Sequence, residues 1–177
     1  MDEVFEKDPR FPIGKFDPAE YPNRAENIST IADLPCAIKA AVSGLSEEQI
    51  DTPYRDGGWT LRQTVHHLAD SHINSLCRFK LALTEDGPII RPYHEELWAQ
   101  LADSLMPLEP SLSIIEGVHA RWSELLTGMS DEDFRRELIH PESGKWALES
   151  MLAMYAWHSL HHTAHITSTS ARLGWVS

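Results

Sequence analysis

Between Thr60 and Glu85 the chain runs for about six helical turns without a glycine or a proline. Leu61, Val65, Leu68, His72, Leu76, Phe79 and Leu83 recur there at steps of four and three, which lays them along one face. Thr60-Leu61-Arg62-Gln63 reads as a capping box at its start. A helix of that length is held mainly by burial of its apolar stripe, so it demands partner helices.

The rest of the chain supplies them. Arg24 to Ser43 carries Ile28, Ile31, Leu34, Ile38 and Val42 at helical spacing and stops at Gly44, with Pro35 inside it expected to bend it. Ser111 is expected to cap a third long helix bearing Leu112, Ile115, Val118, Trp122, Leu125 and Leu126, ended by Gly128. A fourth runs from about Ala147 to Leu173, ended by Gly174. Capping patterns at Ser46 and Ser130 and the stretch Glu95 to Asp103 predict short connecting helices, and Pro141-Glu142-Ser143-Gly144 reads as a surface turn. No segment alternates convincingly. The expected fold is all-α, a four-helix bundle over residues 24–177. Residues 1–23, with Pro9, Pro12, Pro18, Pro22 and Gly14, predict an extended N-terminal arm. Its Phe11, Ile13, Phe16 and Tyr21 are expected to lie against the body or a second subunit.

With 177 residues, 42% of them hydrophobic and 24% charged, the chain has the size and composition of one globular domain. Its 15 Lys+Arg against 27 Asp+Glu leave a formal net charge of -12, which argues against nucleic acid and anionic membrane surfaces as partners. No apolar run is long enough to span a bilayer, and the acidic start Met1-Asp2-Glu3-Val4-Phe5-Glu6-Lys7-Asp8 does not suit a signal peptide, so a cytoplasmic location is expected. Cys36 and Cys77 form no ligand spacing and are expected to be reduced, mostly buried thiols.

Ten histidines are far more than such a chain ordinarily carries. Four of them, His158, His161, His162 and His165, crowd the last helix. His158, His161 and His165 continue the line of Ala147, Met151 and Met154 on one face. His161 with His165, or His158 with His162, has the four-residue spacing at which two imidazoles grip one ion, and spacing alone does not choose between the pairs. A third ligand must come from another helix. His66, His67 and His72 on the second long helix are the source, with His72 on the apolar stripe and His67 beside the polar residues Gln63, Thr64, Asp70, Ser71 and Asn74. Asp70 is a candidate acceptor for the second N–H of His67. One inward histidine is ordinarily a hydrogen-bonded core residue, but several on one core face leave many nitrogens that a shared cation satisfies together. Histidines without thiolates suit Zn, Ni, Co or Fe.

The stretch Asp51-Thr52-Pro53-Tyr54-Arg55-Asp56-Gly57-Gly58-Trp59-Thr60, with Arg62-Gln63 and His66-His67-Leu68-Ala69-Asp70-Ser71-His72, resembles the YfiT-type proteins of the DinB/YfiT-like superfamily, as does Trp157 to Thr167. The resemblance extends over nearly the whole chain, including Tyr21, Pro35, Arg91-Pro92-Tyr93 and His140-Pro141. It implies a four-helix bundle whose second helix gives one histidine, and whose last gives an H-x3-H pair, to one divalent ion, most often Zn or Ni. On this sequence those positions are His67, His161 and His165. It also implies a cytoplasmic homodimer acting on a small molecule as a metal-dependent hydrolase, with relatives in low-molecular-weight thiol transfer of the bacillithiol type. Where some relatives carry a further histidine beside the last cluster, this chain has Leu160.

Three histidines leave an ion an open position, at which water can be activated for hydrolysis or a thiol deprotonated for S-transfer. No motif places a glutamate as general base, and Asp70, His158 and His162 are the candidates for supporting or proton-transfer roles. The absence of a motif-placed base adds weight to the thiol route. A closed coordination shell would instead make a metal-stabilised structural or binding protein.

Overall fold

In the computed structural model, which describes residues 8–175, four long helices close a ring. These are α1 (Arg24–Val42), α3 (Leu61–Thr84), α5 (Glu109–Thr127) and α7 (Leu148–Arg172). Helix α1 packs on α5 and α7, and α3 packs on the same two from the other side. Short helices α2 (Glu47–Ile50), α4 (Glu95–Trp98) and α6 (Asp131–Phe134) sit in the connections. The all-α bundle read from the sequence is therefore the fold.

The caps act as their side chains dictate. Thr60 and Gln63 exchange reciprocal hydrogen bonds at the start of α3, and Ser46 with Gln49 does the same for α2. Ile31, Phe79, Trp122, Leu126, Leu148, Leu152 and Tyr155 form one part of the core; Leu34, Ile38, Leu61, Val65, Leu68, Ile115 and Ile166 form the other. Pro35 lies inside α1 and has no N–H to give the Ile31 carbonyl one turn earlier. That carbonyl takes a donor from α5 instead, the Nδ1–H of His119.

Several expectations are corrected. Helix α5 begins at Glu109, not after a Ser111 cap, because Pro110 suits the first helical turn and the Ser111 hydroxyl is engaged by His66 Nδ1 at 2.7 Å. Strands β1 (Glu137–His140) and β2 (Gly144–Ala147) flank the expected surface turn as an antiparallel hairpin, in register from Glu137 opposite Ala147 to His140 opposite Gly144. Each strand is four residues long, too short for alternation to be legible. Both cysteines are exposed rather than buried. Cys36 falls midway between the inward Leu34 and Ile38, and Cys77 just past the inward Leu76, so each faces outward.

The arm runs along α7. Phe16 packs on Trp157 with ring centroids 5.9 Å apart, and the Trp157 indole N–H donates to the Gly14 carbonyl at 3.3 Å. The acidic start, residues 1–7, lies outside the described residues. Among the described residues no helix is long and apolar enough to cross a membrane.

Candidate metal centre

Two adjoining helices build the centre. Helix α3 contributes His67, and α7 contributes His158, His161, His162 and His165. His67, His158, His161 and His162 line a cavity of about 440 Å³ together with Trp59, Arg78, Tyr93, Tyr155 and Trp157. His161, His162 and His165 line a second, adjoining one of about 520 Å³ with Tyr54, Arg55 and Gln63.

The nitrogens face one another at short range. His67 Nε2 lies 3.3 Å from His158 Nε2, and His162 Nδ1 lies 3.2 Å from His165 Nδ1. Two triples bring one donor nitrogen from each member within 4.8 Å: His67, His158 and His162, and then His161, His162 and His165. His162 belongs to both. Thus His161 and His165 share a tight triple, whereas His67 lies in the other one, beside His158 and His162.

Each of the three residues expected as ligands carries an aromatic wall. Trp59 leans on His67 with ring centroids 4.7 Å apart, Trp157 stacks on His161 at 4.3 Å, and Tyr54 stacks on His165 at 4.1 Å. These faces hold the rings in place and exclude water from them. The loop before α3 and the middle of α7 thereby position the imidazoles. Trp59 and Tyr54 both belong to the long motif preceding α3, which explains why that loop accompanies the histidines.

Burial keeps the imidazoles neutral. It pushes His67, His161 and His165 each down to about 4, helped at His67 and His161 by the neighbouring His165. His158 and His162 are held well below the ordinary range, again chiefly by burial. Neutral imidazoles carry the lone pairs that a cation needs.

The donor set fits a metal ion. His161 Nδ1 is buried and has no hydrogen-bond partner, a cost that a coordinated cation removes. His165 gives its Nε2–H to the Arg10 carbonyl at 3.3 Å, the outward hydrogen bond that ordinarily orients a metal-bound imidazole. That carbonyl belongs to the arm, which thereby becomes part of the centre. Asp70 does not take this role for His67: no hydrogen bond joins them, and its half-buried carboxyl is pushed up to about 6 by burial and then by the charge of Asp103.

Three further histidines divide. His66 turns away, its ring nitrogens engaged by the Ser111 hydroxyl and the Met106 carbonyl at 3.0 Å. His72 and His119 sit in the core beside Trp122, with His72 Nδ1 2.8 Å from His119 Nε2 and His72 Nε2 3.0 Å from His158 Nδ1. The sequence reading placed His72 on the core stripe but did not single out His119. The signal was available: His119 is four residues past Ile115 and three before Trp122, on the inward face of α5. Glu95, at the start of α4, and Glu142, in the turn between β1 and β2, also line the first cavity, and no motif links them to the histidines.

Comparison with known proteins agrees with the fold. The DinB superfamily profile matches residues 35–166. A protein of Bacillus cereus strain 03BB102 named "putative metal-dependent hydrolase" is 50% identical over 172 residues, covering 95% of this chain and 99% of the relative. A protein of Bacillus thuringiensis subsp. konkukian bearing the same description matches equally well over the same shares of each chain. The solved structure of YfiT from Bacillus subtilis, described as a probable metal-dependent hydrolase with an unusual four-helix bundle topology, superposes with a TM-score of 0.91. It is 46% identical and covers 95% of this chain and 99% of its own.

Proposed function

From the premise that the chain belongs to the DinB superfamily, we propose that it is a metal-dependent hydrolase acting on a small molecule. His67, His161 and His165 hold one divalent cation, Zn or Ni, with His158 and His162 beside them. The observation that carries this reading is the unpartnered, buried Nδ1 of His161 within a group of neutral imidazoles. A divalent ion there supplies Lewis-acid polarisation and lowers the pKa of water toward neutrality.

The chain's own groups do the rest. Arg78 stands in the cavity wall, tied to the Tyr155 hydroxyl and the Arg91 carbonyl, each at 3.4 Å, and offers a fixed positive charge to a substrate oxygen. Glu95 and Glu142 face the same space as proton acceptors, so the carboxylates that no sequence motif supplies are present in the fold. Trp59 and Trp157 close the sides against water. The cavity, about 440 Å³, is of small-ligand size. These features support hydrolysis over thiol transfer.

The test is elemental analysis of untagged, dialysed protein beside His67→Ala, His161→Ala and His165→Ala, followed by turnover of ester and amide panels. About one equivalent of Zn or Ni per chain, lost in each variant, with ester or amide turnover abolished by chelation, is the expected result. Turnover only with a low-molecular-weight thiol and an electrophile would replace hydrolysis by S-transfer. Tight metal without ligand exchange or turnover would make the ion structural, and no metal uptake at all would sink the reading.

A further inference from the structure

The Ile31 carbonyl lost its helical donor to Pro35, and His119 Nδ1 fills the gap. A carbonyl oxygen only accepts, so His119 carries its proton on Nδ1 and, being neutral, keeps a lone pair on Nε2. His72 Nδ1, at 2.8 Å from that nitrogen, must then donate, which leaves His72 Nε2 as an acceptor. His158 Nδ1 lies 3.0 Å from His72 Nε2 and must donate in turn. The last free nitrogen of the series is His158 Nε2, 3.3 Å from His67 Nε2. The series passes through all four long helices, from α1 through α5 and α3 to α7.

We propose that the Ile31 carbonyl, freed by Pro35, fixes the tautomers of His119, His72 and His158 in succession, so that His158 presents an Nε2 lone pair to the histidine cavity. His119 and His72 are thereby positioning residues, and neither lines the first cavity. Reversing the direction would require a proton from the carbonyl or a charged imidazole in the core. His72 is fully buried and His119 nearly so, and burial holds both well away from the charged form. A buried series satisfied at every nitrogen but the last is stiff, which suits a group that must aim one lone pair. The tautomers rest on the hydrogen bonds alone; their use, to turn a lone pair toward a cation beside His67, rests on the metal-dependent reading above.

The experiment is a long-range 1H–15N correlation spectrum of the imidazoles in chelator-stripped, full-length protein, which reports the protonated nitrogen of each ring. The expected spectrum has the proton on Nδ1 of His119, His72 and His158. His119→Phe removes the link and is expected to release His72 and His158 from the fixed form. His119→Gln, whose amide can donate to Ile31 and accept from His72, is expected to restore it. A proton on Nε2 of His72 or His158 in the wild type overturns the proposal, as does an unchanged spectrum in folded His119→Phe. If that variant does not fold, the wild-type and His119→Gln spectra decide. Zn titration of the same samples reads the second part: affinity roughly 10–100-fold weaker in His119→Phe and recovered in His119→Gln supports the aimed lone pair. Equal affinity in all three overturns the role in the site. A wild type that binds neither Zn nor Ni overturns the metal reading, while its metal-free spectrum still decides the tautomers.

Discussion

The Tyr54 ring stacks on the His165 imidazole with centroids 4.1 Å apart and planes 28° from parallel. Tyr54 is held from both sides, its carbonyl accepting from Arg172 at 3.1 Å and its amide bonded to the Trp59 carbonyl at 3.0 Å. Tyr54→Phe keeps the ring and is expected to leave metal affinity unchanged, whereas Tyr54→Ala is expected to weaken it about tenfold by freeing His165. Gly58 is part of the same device: a Cβ there would lie 2.7 Å from Arg55 Cγ and 3.1 Å from the Tyr54 ring. Gly58→Ala should therefore displace the ring and behave like Tyr54→Ala in a Zn titration by calorimetry.

Arg62 ties the start of α3 to its surroundings. Its guanidinium is almost wholly buried, pairs with Asp51 and Glu47, and donates to the Met106 carbonyl at 3.0 Å. The guanidinium reaches these three acceptors through three separate nitrogens held in a rigid planar fork, a spread that one ammonium nitrogen cannot span. Arg62→Lys is expected to cost about 1–3 kcal/mol of stability, read from the urea midpoint, without loss of metal.

Acid should destabilise the metal-free protein in a defined window. Burial pushes His119 down to about 4 from an ordinary 6.5. Between those values the unfolded chain binds the extra proton, so stability rises with pH there and is complete above about 6.5. From pH 7 to pH 5 the loss through His119 alone is on the order of 2 kcal/mol. His67, His161 and His165 act in the same direction. Urea unfolding across that range should show the midpoint falling with acid, and His119→Gln should flatten the slope. A midpoint flat from pH 7 to pH 5 would contradict the buried, neutral state of these rings.

Chelation should lower the melting temperature. At an ion concentration of about 100 times Kd, binding to the folded state contributes about 2.7 kcal/mol, which corresponds to a shift of roughly 5–10 °C for a chain of this size. The shift should vanish in His161→Ala. An undiminished shift in that variant would place the ion elsewhere.

The four long helices were legible because their stripes repeat over many turns: the observed Leu61–Thr84, Arg24–Val42 and Leu148–Arg172 stand within about a residue of the spacing's bounds. The hairpin was not, since a four-residue strand carries too little pattern, and the start of α5 was misplaced because Ser111 serves His66 rather than a cap. The cysteines were misread because composition alone says that thiols are buried, whereas their positions between stripe residues face solvent.

At the site, local spacing determined that His158, His161, His162 and His165 share one helix and that a partner must come from another, because 3.6 residues per turn is a property of the backbone. The sequence alone could not choose between the two pairings on that helix, and the resemblance proposed one. Only the tertiary structure decided that His67 stands against His158 and His162, that Trp59, Trp157 and Tyr54 each cover one imidazole, and that the Arg10 carbonyl accepts from His165 while Asp70 does not bond His67. It alone decided that the carbonyl Pro35 leaves bare meets His119. Those relationships join residues tens of positions apart, where pairing is set by how the helices close into a ring and not by any periodicity along the chain.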